Sequence, residues 1–159
     1  MKNKIIIYTD GAARGNPGKA GWAAVILLPQ NYGGPGCIEI GGRIPHATNN
    51  QMELTAPIEA IKYLRKKISR VALDIEIFSD SKYVILGITK WILNWMQNNW
   101  RNAAKKLVLN RELWEELYGL TKDLKIKWIY VKGHNGDKWN DRADEIATSF
   151  ADGEPVKLN

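Results

Sequence analysis

Very little of this chain's chemistry can rest on sulfur. Its 159 residues include one cysteine, Cys37, which excludes an internal disulfide framework and a cysteine-rich zinc site. Long apolar runs are missing too. None approaches the ~20 residues of a membrane span, and no repeat, low-complexity tract or Pro/Ser-rich linker interrupts the chain. The opening Met1-Lys2-Asn3-Lys4 runs straight into β-rich sequence without a signal-peptide cleavage pattern, so the expectation is a cytoplasmic protein, without membrane contact and monomeric. What remains is ordinary globular composition, 45% apolar and 25% charged, at a length that suits one domain of roughly 150 residues.

Charge of one sign is in excess. Lysine and arginine total 23 against 17 acids, a net of +6, which suggests an anionic partner without naming one. The excess is concentrated. From Lys90 to Arg111 the chain carries Lys90, Arg101, Lys105, Lys106 and Arg111 with no acid, and interleaves Trp91, Trp95 and Trp100. Cations beside flat rings suit nucleic acid. The competing reading is a small helical subdomain whose tryptophans pack together.

Hydrophobic patterning sets the fold class. Lys4 to Thr9 reads as a strand buried on both faces. Gly15-Asn16-Pro17-Gly18 and Gly33-Gly34-Pro35-Gly36 are turn signals, and Trp22 to Leu28 and Cys37 to Ile44 read as strands, which gives an antiparallel meander. Thr48 with Gln51 three residues on is a capping box. Leu54, Ile58, Ile61 and Ile68 then follow at helical spacing toward the basic end Arg65-Lys66-Lys67, with Pro57 inside as an expected kink. Leu73, Ile75 and Ile77 alternate with acids as a fourth strand, Ser81 to Gly87 suggests a short helix, and Asn110 is placed to cap another that carries Leu113, Trp114 and Leu117. Ile126 to Val131 is a fifth strand, and a last helix turns Ala143, Ile146, Ala147 and Phe150 inward. The expectation is one α/β domain over 1–151, a five-stranded mixed sheet of three antiparallel and two parallel strands flanked by helices, with 152–159 as a frayed tail.

Four acids stand at element ends. Asp10 closes the first strand, Asp80 closes the fourth, and Glu53 and Asp144 lie in early turns of helices. In a sheet of this kind ligands collect at strand ends near a topological switch. Parallel first and fourth strands would set Asp10 beside Asp80. Such a cluster suits two Mg²⁺ ions about 3.5–4 Å apart acting on a phosphodiester. Setting these four of the 17 acids aside leaves 13 against 23 basic residues, a basic surface around an acidic pit. Each acid also has a plainer reading: Asp10 as a turn residue, Asp80 as a helix N-cap, Glu53 and Asp144 as dipole partners.

The motifs around these acids resemble type 1 ribonuclease H. Tyr8-Thr9-Asp10-Gly11 with Gly15-Asn16-Pro17-Gly18 resembles its opening, Thr48-Asn49-Asn50-Gln51-Met52-Glu53-Leu54 its acidic helix, and Ser79-Asp80-Ser81-Lys82-Tyr83-Val84 its third motif. Val131-Lys132-Gly133-His134 and the stretch Asn140 to Ala147 resemble its last two. The resemblance implies a metal-dependent endonuclease that hydrolyses the RNA strand of RNA/DNA hybrids and leaves 5′-phosphate and 3′-hydroxyl ends. It assigns Asp10, Glu53, Asp80 and Asp144 to two Mg²⁺ ions, with Mn²⁺ as a substitute, and His134 to proton transfer or product release. Asn16, Asn49, Asn50 and Gln51 would meet the hybrid's minor groove and 2′-hydroxyls. Thr48 and Asn110 would hold a phosphate of the DNA strand, Lys82 would add a further substrate contact, and Trp91 would lie near the DNA strand. Met96-Gln97-Asn98-Asn99 replace cations often found in the basic protrusion, Gln51 and Lys82 stand where some members carry Arg and Gln, and Ala12 and Ala13 lack polar groups often found there.

Overall fold

The computed structural model describes residues 3–32, 36–68 and 74–159. Most of the expected turn at 33–36, and Leu73 of the expected fourth strand, lie outside the described residues. Among the described residues five strands are present: β1 (Lys4–Gly15), β2 (Gly18–Leu28), β3 (Gly36–Ala47), β4 (Asp74–Ser79) and β5 (Ile126–Tyr130). The helices are α1 (Asn49–Lys67), α2 (Lys82–Leu86), α3 (Ile92–Gln97), α4 (Arg111–Thr121) and α5 (Lys138–Ala151), with a π turn at Gly87–Trp91 joining α2 to α3. The sheet order is β3-β2-β1-β4-β5. Strands β1, β2 and β3 pair antiparallel, whereas β1–β4 and β4–β5 are parallel. The mixed sheet expected from the patterning is therefore the one observed.

The first strands run longer than their apolar segments. Strand β1 continues past Thr9 because its pairing with β2 extends to Gly15↔Gly18 across a two-residue turn. Glycine is required at both ends of that turn. Gly15 has φ +100°, and a Cβ on Gly18 would overlap the Arg14 carbonyl oxygen.

Strand alternation sends residues to both faces of the sheet. Ile5, Ile7, Ala24, Ile26, Ile75 and Ile77 pack against Ala60, Ile61 and Leu64 of α1. Tyr8, Ala12, Ala23 and Val25 pack against Ala143, Ile146, Ala147 and Ala151 of α5. Burial on both faces is why the Lys4–Thr9 run reads as continuously apolar.

Helix α1 starts on the expected capping box. The Gln51 amide donates to Thr48 Oγ1 at 3.1 Å, and the Thr48 amide donates to Gln51 Oε1 at 2.9 Å. The helix then runs through Pro57 as one element. The proline has no N–H for the carbonyl of Glu53, so one rung is missing without ending the helix.

In the tryptophan-rich segment the rings pack together. Trp114 is fully buried, with Trp95 at 5.3 Å in an edge contact, and Trp100 lies 6.3 Å from Trp95. Gly87 in the π turn faces the Trp114 ring, which would collide with any Cβ there. Trp91 meets Trp95 in a tilted contact at 5.9 Å but stays 38% exposed. The five cations from Lys90 to Arg111 are all exposed.

Two expectations need correcting. Asn110 stands at the N-cap position of α4 in the left-handed region, φ 62°, and its side chain makes no cap bond; its amide is engaged elsewhere, as described below. Residues 152–159 are docked rather than frayed. The Glu39 amide donates to the Asn159 carbonyl at 3.0 Å, the Asn159 amide donates to Glu39 Oε1 at 2.9 Å, and Val156 and Leu158 cover the α5 face of the core. The cause is a buried charge. The Glu39 side chain is only 1% exposed, and Arg142 meets both of its oxygens at 2.8 Å while also donating to the Lys157 carbonyl.

Arg142 holds the Glu39 carboxyl below its usual range, through hydrogen bonds first and charge second. A depressed acid contributes stability above its ordinary value of 4.5 and loses it as pH falls below that. Arg142→Ala should therefore cost about 3 kcal/mol in urea unfolding at neutral pH. The deficit should shrink below about pH 4, and hydrogen exchange should quicken across 156–159.

Candidate active site

The site forms where the two kinds of strand pairing meet. The parallel register of β1 and β4 ends at Thr9↔Ser79, so Asp10 and Asp80 leave that register side by side. Capping of α2 falls to Ser81, whose Oγ accepts from the Val84 amide at 3.2 Å. Asp80 is thereby free of the N-cap role considered for it.

Glu53 enters from α1. The backbones of β1 and α1 approach so closely at Gly11 that a Cβ there would overlap Met52 and the Glu53 amide. Any larger residue would push α1, and Glu53 with it, away from Asp10. Carboxylate oxygens of Asp10, Glu53 and Asp80 all lie within 4.8 Å of one another. Asp144, on the face of α5 turned to the sheet, makes a side-chain contact with Asp10 and lies outside that tight trio.

Asp10 is 3% exposed and Glu53 5%. The Asp10 Oδ1 atom accepts from the Gly11 amide at 2.9 Å, but Asp10 Oδ2 and Glu53 Oε1 are buried with no hydrogen-bond partner. Buried polar atoms are usually satisfied. Two orphaned oxygens converging with a third carboxylate form an all-oxygen donor set of the kind a hard divalent cation takes. The residues present thus fit a divalent metal.

Electrostatics agree. Burial pushes the Asp10 carboxyl well above its usual range, and the Glu53 and Asp80 charges push it further. Burial, then the Asp80 charge, raises Glu53 to about 8, against hydrogen bonds from Asp10 and Gly11 that pull it down. Two carboxylates ~5 Å apart repel by on the order of 3 kcal/mol at an effective dielectric of 20.

His134 lies in the loop between β5 and α5, exposed and at φ 55°. Its neighbour Gly133 rests on Asp80, and a Cβ there would come 2.9 Å from Asp80 Oδ2. The loop that carries the histidine therefore packs directly on the carboxylate cluster.

The polar residues expected to meet a substrate fall into connected groups. Asn16 in the β1–β2 turn accepts from the Asn49 amide at 2.9 Å, tying that turn to the start of α1, where Asn50 is exposed. Gln51 donates to Asn110 Oδ1 at 3.3 Å, and Asn110 Nδ2 donates to the Tyr83 hydroxyl at 3.1 Å. The same hydroxyl accepts from Trp114 Nε1 at 3.0 Å. Thr48, Gln51 and Asn110 are thus joined at one end of α1. Lys82 stands apart over the Tyr130 ring, 5.5 Å from its centroid. Gly11, Tyr83 and Gly133 were not singled out from sequence, although all three lie inside the quoted motifs.

In the metal-free protein both raised carboxyls work against the fold as pH rises. The unfolded chain releases these protons near 3.8 and 4.5, whereas folded Glu53 holds its proton to about 8. Stability should fall across that window. Thermal melts of metal-free protein should give a lower Tm at pH 8 than at pH 5.5. Asp10→Asn should raise the pH 8 value, by about 1–3 kcal/mol in stability. A clear loss of Tm in that variant would make Asp10 a structural residue.

Comparison with known proteins gives the same picture. The RNase H family model matches residues 2–152. The chain is 47% identical to a Ribonuclease H of Thermosynechococcus vestitus over 152 residues, 96% of this chain and 91% of that one. It is 46% identical to a Ribonuclease H of Francisella philomiragia over 146 residues, 92% and 90% of the two chains. Among solved structures, LC9-RNase H1, a type 1 RNase H with the type 2 active-site motif, superposes with a TM-score of 0.82 at 24% identity, over 100% of this chain and 76% of that one, a likeness of fold. LC11-RNase H1, solved in complex with an RNA/DNA hybrid, superposes with a TM-score of 0.70 at 26% identity, over 94% and 97%. With nearly its whole length matched, and its motifs gathered at the junction of β1 and β4, the chain belongs to the ribonuclease H family.

Proposed function

We propose that the protein is an endoribonuclease that hydrolyses the RNA strand of RNA/DNA hybrids at the Asp10–Glu53–Asp80–Asp144 cluster. The observation that carries this reading is the convergence of buried, unpartnered carboxylate oxygens at the ends of β1 and β4. These four acids would hold two divalent ions, with Mg²⁺ the expected species and Mn²⁺ a substitute. When bound, the ions would activate a water and stabilise the leaving oxygen.

The remaining roles belong to the chain itself. His134, on a glycine-flanked loop whose Gly133 rests on Asp80, would carry a proton toward the departing 3′-oxygen or assist product release. Cleavage on that side of the phosphorus leaves 5′-phosphate and 3′-hydroxyl ends. Asn16, Asn49, Asn50 and Gln51 offer amides to the minor groove, where the 2′-hydroxyl distinguishes RNA from DNA. Thr48 and Asn110, joined through Gln51, form a small polar site for a phosphate of the DNA strand. Trp91 presents a partly exposed ring beside the exposed cations of 90–111, and Lys82 adds a further charge over the Tyr130 ring. The protein would act as a monomer, in the cytoplasm, on an anionic duplex.

Cleavage of an end-labelled hybrid, with RNA duplex, DNA duplex and single-stranded RNA alongside, tests the proposal. Only the RNA of the hybrid should be cut, only with a divalent metal, and Asp10→Asn should abolish cutting. Binding of the hybrid should weaken steeply between about 50 and 200 mM salt. Hybrid binding without cutting by the unmodified protein would reduce the chain to a recognition module.

A further inference from the structure

Arg14 is a cation beside the carboxylate cluster that the proposed function leaves unused. It lies on β1 four residues after Asp10 and two before Asn16. Even spacing along a strand puts Asp10, Ala12 and Arg14 on one face, the face that α5 covers. Asp10 and Arg14 are ~13 Å apart along β1 at about 3.3 Å per residue. Helix α5 keeps pace, since Asp144 meets Asp10 while Asp152, eight residues and ~12 Å further on, meets Arg14.

The Arg14–Asp152 contact is bidentate, with Nε at 2.6 Å from Oδ1 and Nη2 at 2.9 Å from Oδ2. That fork also matches two oxygens of a phosphate. Both side chains are about half exposed, 52% for Arg14 and 45% for Asp152. An ion pair this exposed is held weakly, and Asp152 loses little on returning to water. The arginine also feels the charge of Asp144, after its stronger interactions with Asp152, so it lies within the electrostatic field of the cluster.

Resting on the hybrid-cleaving reading above, we propose that Arg14 is a substrate-binding residue that exchanges Asp152 for a backbone phosphate of the RNA strand. At ~13 Å from Asp10 it cannot serve the phosphate being cut. It takes another one along the strand that lies in the carboxylate cluster. Asp152 acts as a placeholder that keeps the guanidinium extended along α5 and competes with the phosphate for it.

The test is hybrid affinity by fluorescence anisotropy with Mg²⁺ in an Asp10→Asn background, measured over a salt series. Arg14→Ala should weaken binding about three- to tenfold and lower the slope of log Kd against log salt by about one. Arg14→Lys should keep the slope while losing part of the affinity. Asp152→Asn should tighten binding by freeing the arginine, and the double variant should behave like Arg14→Ala. Uncharged methylphosphonate linkages in the RNA strand should erase the difference between the Arg14→Ala variant and its parent; the same linkages in the DNA strand should leave it. Arg14→Ala with parental affinity and slope would overturn the proposal. So would Asp152→Asn weakening binding together with a drop in Tm equal to that of Arg14→Ala, the mark of a purely structural clip. Unmodified protein that cuts the hybrid, with these variants all binding alike, would sink only the role of Arg14. Unmodified protein that neither cuts nor binds the hybrid would sink the function and this inference together.

Discussion

Two carboxyl groups kept out of water, within reach of a third, are the constraint around which this molecule is arranged. Asp10 and Glu53 are almost fully buried, with one oxygen on each left unpartnered. No fold gains stability from that placement. The surrounding structure has to impose it, and the means are visible. The β1–β4 parallel register sets Asp10 beside Asp80, and the missing Cβ of Gly11 brings α1 onto β1. The two-sided core then locks β1 between α1 and α5. Raised carboxyl pKa values are the thermodynamic trace of that imposition, relieved by a proton or by a cation.

The same helix start that delivers Glu53 also organises the polar surface around it. Thr48 and Gln51 satisfy each other in the capping box, and Gln51 still reaches Asn110. Through Asn110 the contact passes to Tyr83 and the buried Trp114. The first turn of α1 is therefore held to the start of α4 by hydrogen bonds, and Leu54 and Ile58 further along pack with the aromatic cluster. A substrate bound across Thr48 and Asn110 would meet a surface already ordered by interactions inside the fold, at little entropic cost.

Charge is handled differently in three places. At Glu39 a buried carboxylate is fully paired by Arg142, and the chain end is drawn in to complete its hydrogen bonds. At the carboxylate cluster no cation is among the causes that shift Asp10 or Glu53, and both groups move toward neutrality. At Arg14 the pair is about half exposed, 52% and 45%. Burial decides among these outcomes, because desolvation is what turns an acid–base contact from a weak surface pairing into a structural necessity.

Much of this was legible in the residues. Apolar runs and turn signals gave five strands, the order of elements gave their mixed pairing, the capping box gave the start of α1, and the four acids at element ends are the ones the fold brings together. Local sequence carries such features because they depend on side-chain alternation and nearby backbone donors. It does not carry long-range partners. Only tertiary packing gave Asn110 a left-handed backbone and Tyr83 as its neighbour, and extended β1 to the Gly15–Gly18 turn. Docking of 152–159 likewise follows from Glu39, more than a hundred residues away in sequence. The sequence alone determined which residue types stand at the strand and helix ends. The tertiary structure decided which of them lose their water together, and that loss is what raises the carboxyls of Asp10 and Glu53 above the range of ordinary acids.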